Sequence, residues 1–213
     1  MARVKPRHDA DLPHVYWQQL FESGVLTVCF APLHQAWGNG QVRETVQTAL
    51  YFAGQMRLNL SQRWALLMAS LDQTLFNVDD TDSTEATNTA VKNISSIGNT
   101  AKVPKAQTQF ATLFVQQAAK LSAINGLTVA QKVDLIQACS AHKEPDRLSQ
   151  LLVTSHVLQL SQQHRQMMLA LNSFHAISMG DIAPNLEGPA IGAALRQARI
   201  EHLQAQSIPK NKP

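Results

Sequence analysis

The stretch Ser61–Gln73, SQRWALLMASLDQ, is the part of the sequence that decides the fold class. Its large apolar residues recur at the i, i+3, i+4 and i+7 spacing of one helical face. These residues are Trp64, Leu67, Met68 and Leu71. A hydroxyl side chain ahead of a helix accepts a hydrogen bond from a free backbone N–H, so we predict Ser61 as the N-cap. The stretch therefore predicts a helix with one side buried in a core.

The composition of the 213-residue chain extends this prediction to the whole molecule. Hydrophobic residues make up 45% and charged residues 15%, which is typical of a globular protein. Gln, Ala and Leu are plentiful and β-branched runs are rare, which favours helices over strands. We predict an all-α fold of roughly eight helices.

Charge, cysteines and hydropathy limit the classes of partner. The net charge is +3 and the pI is about 9.0, which permits contact with nucleic acid but does not require it.

Cys29 and Cys139 lie in apolar helical segments, so we expect two buried free thiols. The N-terminus has no apolar signal region, and no apolar run approaches the roughly 20 residues that span a bilayer. We expect a soluble, cytoplasmic protein without a membrane partner.

The order of polar and apolar segments predicts the domain organisation. Residues 1–10 form a basic leader that we expect to be disordered, and residues 11–176 form a helical body. Residues 78–105 form a polar insert in this body, predicted as a loop or a partly disordered segment, with Asp79, Asp80 and Asp82 as solvated carboxylates. Residues 177–206 form a tail whose helix begins at Gly188-Pro189, and residues 207–213 form a disordered end.

Two motifs carry a resemblance to a known family. Arg63-Trp64-Ala65-Leu66-Leu67-Met68 resembles the helix that leads to the His-Asp metal pair in the C-terminal half of bacterial tRNA nucleotidyltransferases, the CCA-adding enzymes. Gly188–Arg199 is similar to the tail pattern of the same family. The resemblance extends from Pro13 to Leu203 and is patchy outside these two places. It implies a degenerate HD-like helical body followed by a short tail helix.

The resemblance also implies that the chemistry of the family is missing. The positions of the first metal ligand, the His-Asp pair and the following Gly-Lys pair are Gln47, Ala69, Ser70, Asp72 and Gln73. An amide or a methyl group is a poor substitute for imidazole or carboxylate. No Gly-rich phosphate loop or strand-borne Asp-x-Asp pair suggests the catalytic head. We therefore expect no catalytic residues, no metal and no cofactor.

Three functions follow from these patterns. The first is a non-catalytic module that binds tRNA or another structured RNA through phosphates. The second is a structural or regulatory domain that dimerises or docks onto a separate protein. The third is a residual metal-dependent phosphohydrolase. The candidate residues for phosphate binding are Arg63, Lys143, Arg147, Gly188, Gly192, Arg196, Arg199, Lys210 and Lys212.

Overall fold

The computed structural model describes residues 12–76, 83–141, 143–158, 165–182 and 186–207. These residues form an all-α fold with no strand among them, which confirms the predicted fold class. The described part contains eleven α-helices, which is more than we predicted from the sequence. They are α1 (Pro13–Glu22), α2 (Val25–Cys29), α3 (Ala31–Gly38), α4 (Gly40–Gln55), α5 (Leu60–Ala69), α6 (Ser83–Thr100), α7 (Lys105–Ser122), α8 (Val129–Ala138), α9 (Pro145–Val157), α10 (Arg165–His175) and α11 (Pro189–Ser207).

The described residues fall into two compact units. The first unit contains residues 12–76, 83–119 and 153–158, and the second contains residues 120–141, 143–152, 165–182 and 186–207. None of the described helices is long and apolar enough to cross a membrane.

The core of the first unit is built around α5. All six residues from Trp64 to Ala69 are buried, and α4 packs against α5 on one side and against α1 on another. The ring centroids of Trp17 on α1 and Trp64 lie 6.3 Å apart. The predicted core face is confirmed at Trp64, Leu67 and Met68, and the burial extends all around the second half of the helix. Leu71, the fourth predicted member, lies beyond the end of the helix and is half-buried, so the prediction for it was wrong.

The ends of α5 differ from the prediction. Its N-cap is Asn59 rather than Ser61, and the Asn59 and Gln62 side chains each accept from the other's backbone N–H in a capping box. An Asn followed three residues later by Gln is a recognised start signal that outweighs a hydroxyl one residue inside the helix. The helix ends at Ala69 rather than Gln73, and Asp72 caps the 3₁₀ turn Gln73–Leu75 that follows.

The polar segment predicted as a loop is helical over most of its length, so that prediction was wrong. Ala90, Ile94 and Ile97 recur at helical spacing on α6 and are buried. Thr, Ser and Asn lower helix stability by up to about 0.7 kcal/mol each relative to Ala. Burial of one large aliphatic side chain stabilises by about 1.5–3 kcal/mol, so a narrow apolar stripe suffices to form the helix.

The second unit groups α11 with α8 and α10. Gly188 has φ +56°, in the left-handed region, and Pro189 begins α11, as predicted for the tail helix. Ile200 and Leu203 on α11 are buried. Helix α8 begins at the N-cap Thr128, which forms a capping box with Gln131, a start signal that is readable in the sequence.

The two cysteines have different environments. Both are free, and Cys139 is buried as predicted, whereas Cys29 is exposed. The prediction for Cys29 was wrong because α2 is only five residues long and buries only Leu26.

Candidate functional site

The positions that match metal ligands of the tRNA nucleotidyltransferases hold side chains that pack in the core or against a neighbouring helix. Ala69 and Ser70 at the end of α5 are fully buried, and the Ser70 hydroxyl donates to the Leu67 carbonyl over 2.7 Å. Gln47 on α4 is half-buried, and its side-chain amide donates to the side chain of Gln18 on α1. These side chains therefore stabilise the contacts of α5 with the core and of α4 with α1.

Asp72 has a structural role that the sequence analysis missed. Its carboxylate is fully buried and accepts from the Thr74 backbone N–H at 3.2 Å, the Thr74 hydroxyl at 2.6 Å and the Thr87 hydroxyl at 2.7 Å. A buried carboxylate requires such donors because it leaves water. Asp72 thus joins the chain after α5 to the first turns of α6. The Asp-x-Thr pattern, a common side-chain-capped turn, was the available sequence signal.

No metal centre is found in the part of the chain that the structure describes. Among these residues, no three His, Cys, Asp or Glu side chains converge closely enough to hold an ion. The predicted solvated carboxylates Asp79, Asp80 and Asp82 lie outside the described residues.

Both arginines of α11 that were candidates for phosphate binding make contacts within the second unit. Arg196 donates from Nε and Nη2 to the two carboxylate oxygens of Asp134 on α8, at 2.7 and 2.9 Å. Arg199 places its guanidinium 3.6 Å from the centroid of the Phe174 ring on α10 and donates to the Ile177 carbonyl at 3.4 Å. Both contacts attach α11 to its neighbours.

The surroundings of these arginines shift their pKa values and the pKa of Asp134. The hydrogen bond from Arg196 lowers the pKa of Asp134, and Lys120 and Arg196 act in the same direction through their charges. The same pair raises the pKa of Arg196. Burial lowers the pKa of Arg199, whose side chain lies over an aromatic ring. Both guanidinium groups remain charged at neutral pH, since arginine is deprotonated only in strongly basic solution.

Other basic candidates lie near the α8–α9 connection. Lys143 is exposed, and Arg147 in the first turns of α9 pairs with Glu144 at 2.5 Å. Burial raises the pKa of the Cys139 thiol to about 12, while the charges of Arg147 and Lys120 act to lower it. Lys120 and Arg147 are therefore close enough to Cys139 to act on it electrostatically.

The remaining candidates are dispersed. Arg63 lies on α5 in the first unit and is half-buried. Gly188 and Gly192 are exposed, and a Cβ at either position would meet no described atom within 4 Å. Neither glycine is therefore needed for close packing. Lys210 and Lys212 lie outside the described residues.

The most prominent exposed feature of the first unit is apolar. Among the described residues, seven of the eight exposed large hydrophobic side chains lie between positions 12 and 56. Five of them belong to α1 and α4 or to the caps of these helices. We call these five the α1–α4 apolar surface: Leu12, Val15, Tyr51, Phe52 and Met56.

The antiparallel packing of α1 and α4 brings these five residues to one end of the helix pair. Gln18 contacts Gln47, and the His14 ring meets the Tyr51 ring edge-on with centroids 5.3 Å apart. The start of α1 therefore lies beside the end of α4. Phe52 is 46% exposed and Met56 is 52% exposed, although side chains of this kind usually lie in a core.

Comparisons with family models, curated proteins and solved structures give no significant match to this chain. The resemblance to tRNA nucleotidyltransferases therefore stays a prediction from the sequence.

Proposed function

We propose that this chain is a non-catalytic helical module that docks onto another protein through the α1–α4 apolar surface. The observation that carries the proposal is the concentration of exposed large side chains at one end of the α1–α4 pair. Exposed large apolar side chains that lie near one another are a common feature of interaction sites. Tyr, Phe and Met are also enriched in protein–protein interfaces. The packed side chains at Ala69 and Ser70 support a role without metal chemistry.

The test is to remove the apolar character of this surface at one of its exposed aromatic side chains. Phe52→Glu should fold, because the side chain is half exposed, and should lose the partner protein that co-purifies with the wild-type chain. Met179→Glu is the matched control, since Met179 is an exposed hydrophobic residue of the second unit. Affinity purification with mass spectrometry, together with sedimentation of the purified chain, measures both a separate partner and self-association.

The proposal predicts different partner binding or self-association for Phe52→Glu and Met179→Glu. A partner or an oligomer that is present with the wild type and Met179→Glu but absent with Phe52→Glu supports the proposal. Wild-type protein that stays monomeric and carries no partner would contradict it. Equal behaviour of both variants would contradict it as well.

A second candidate function is RNA binding through the second unit. The observation that favours it is the grouping of Lys120, Arg147 and Arg196 around Asp134 and Cys139. Two carboxylates, Asp134 and Glu144, face these three cations, and the Arg196 side chain remains 40% exposed. Basic side chains can hold a phosphate backbone without any catalytic group.

Salt dependence is the test of this second candidate. The affinity for bulk tRNA should fall as salt rises, and Lys143→Ala/Arg147→Ala should reduce the slope by about one for each phosphate that the variant no longer binds. Lys92→Ala, an exposed lysine of the first unit, should leave the slope unchanged. Absence of binding at low salt, or binding with no salt slope, rules out this function.

A further inference from the structure

A groove in the first unit lies between α3, α6 and the 3₁₀ turn that follows α5. Its volume is about 530 Å³. Pockets that take small ligands have volumes of roughly 300–1,000 Å³. The apolar part of its lining consists of Pro32 and Ala36 from α3, Leu71, and Ala86 from α6. The short side chains of Ala36 and Ala86 leave space on the α3 and α6 sides of the groove.

The orientation of α6 follows from its two faces. Ala90, Ile94 and Ile97 are buried in the core, which fixes the helix about its axis. Glu85 and Thr89, four residues apart, then share the face that lines the groove, together with Asn93. The burial of the apolar face of α6 therefore also fixes the position of its polar residues in the groove.

The polar side chains of this groove have hydrogen-bonding capacity that the protein does not use. Five of them have no side-chain hydrogen bond to any described residue: Gln35, Gln73, Glu85, Thr89 and Asn93. Each one has an oxygen that accepts hydrogen bonds. Among the described residues, no Lys, Arg or His lines the groove. The described part of the lining is thus rich in acceptors and contains no basic side chain.

One carboxylate lines the groove and a second lies close behind its lining. Glu85 is exposed at its edge, and Asp72 lies buried behind Thr74, whose hydroxyl donates to it. Neither carboxylate forms an ion pair with a described residue. Concave surfaces lined by one sign of charge raise the local concentration of ions of opposite sign.

We propose that this groove binds a small aliphatic di- or triamine. An ammonium group has three donors and no acceptor, so it matches the carboxylate of Glu85 and the amide oxygens of Gln35 and Asn93. The methylene groups between two ammonium groups match the small apolar surface of Ala36 and Ala86. The binding is reversible and leaves the ligand unchanged.

Calorimetric titration of the full chain with 1,4-diaminobutane and with spermidine tests this site. Saturable binding of one amine per chain is expected. Butane-1,4-diol and succinate, which have the same four-carbon length without positive charge, should not bind. Glu85→Gln should weaken amine binding about tenfold or more, since it removes a charge-assisted hydrogen bond and keeps the shape. Glu44→Gln, at an exposed carboxylate on α4, is the matched control and should have no effect.

A second variant fills the groove and leaves its charge unchanged. Ala86 is half exposed, so Ala86→Leu should preserve the fold and abolish amine binding. In the wild type, the amine should shift the side-chain amide NMR signals of Gln35, Gln73 and Asn93. No saturable amine binding, equal binding of the diol, or an equal effect of Glu85→Gln and Glu44→Gln would each overturn the proposal. The site is independent of the α1–α4 apolar surface, so its failure would leave the proposed docking function untouched.

Discussion

At the scale of single residues, Arg196 on α11 is both a candidate for phosphate binding and a member of an ion pair. Arg196 was a phosphate candidate in the sequence, and the structure places it in a two-point ion pair with Asp134. The Asp134 side chain is 45% exposed, so water screens the pair and its contribution to stability is small. The pair links α11 to α8 and leaves part of the guanidinium open to solvent.

We expect Asp134→Asn to lower the free energy of unfolding at pH 6 by about 0.5 kcal/mol, because exposed pairs are worth little. The folded-state pKa of Asp134 lies below the ordinary value of 3.8. Its contribution is therefore present above pH 3.8 and is lost as the pH falls through the lower folded value. Urea unfolding of both proteins at pH 6 and pH 2.5 measures this. The difference should be smaller at pH 2.5 than at pH 6, and a constant difference would contradict the assignment. Glu187→Gln, at an exposed carboxylate, is the control.

The two thiols should react at very different rates. Burial raises the pKa of Cys139 to about 12, so its reactive thiolate is scarce at pH 8, whereas Cys29 is exposed. Iodoacetamide at pH 8 should modify Cys29 in the folded protein and both cysteines in urea. Mass spectrometry of the digested protein locates the label. Modification of native Cys139 at the rate of Cys29 would show that Cys139 is accessible.

At the scale of elements, α6 is the helix whose existence depends most on its neighbours. Its buried stripe is narrow, its N-terminal turns are tied to Asp72 through Thr87, and its C-terminal turn approaches α7 closely. A Cβ on Gly98 would lie 2.6 Å from Oγ1 and 3.0 Å from Cγ2 of Thr108. Only glycine allows this approach without a shift of Thr108.

Two glycine-to-alanine substitutions should therefore have opposite effects on stability. Gly98→Ala should lower the free energy of unfolding by about 1–3 kcal/mol, because it overpacks the contact with Thr108. Gly192→Ala, on exposed α11, meets nothing within 4 Å and should raise it by about 0.5–1 kcal/mol through helix propensity. Urea denaturation measures both changes. Gly98→Ala/Thr108→Ala should recover most of the loss. If it does not, the contact is not the cause.

At the scale of the whole molecule, net charge opposes association between copies of the chain, whereas exposed apolar surface favours it. The chain carries +3 at pH 7 and approaches zero net charge near its pI of about 9.0. Repulsion between copies weakens as the net charge falls, so apolar contacts between them gain influence.

Association of the purified chain should thus be stronger at pH 9 than at pH 7. Light scattering at both pH values measures it. Phe52→Ser should suppress the increase because it removes apolar area without adding charge, and Met179→Ser should retain it. An increase that is the same for both variants would assign the association to another surface.

The sequence by itself determined the features that depend on residues close together in the chain. Apolar spacing in Ser61–Gln73 gave the core face of α5, Thr128 gave the start of α8, and Gly188-Pro189 gave the start of α11. Each follows from the period of the helix or from the free backbone groups at its ends, so a window of about ten residues contains the necessary information.

The tertiary structure alone decided what depends on distant residues. Arg196 and Asp134 are 62 positions apart, and nothing local shows that they pair. The burial of Ile94, the exposure of Cys29 and the groove beside Glu85 likewise depend on which helices become neighbours. Packing brings these groups together, and its energy exceeds the small local preferences of polar residues in segments such as α6.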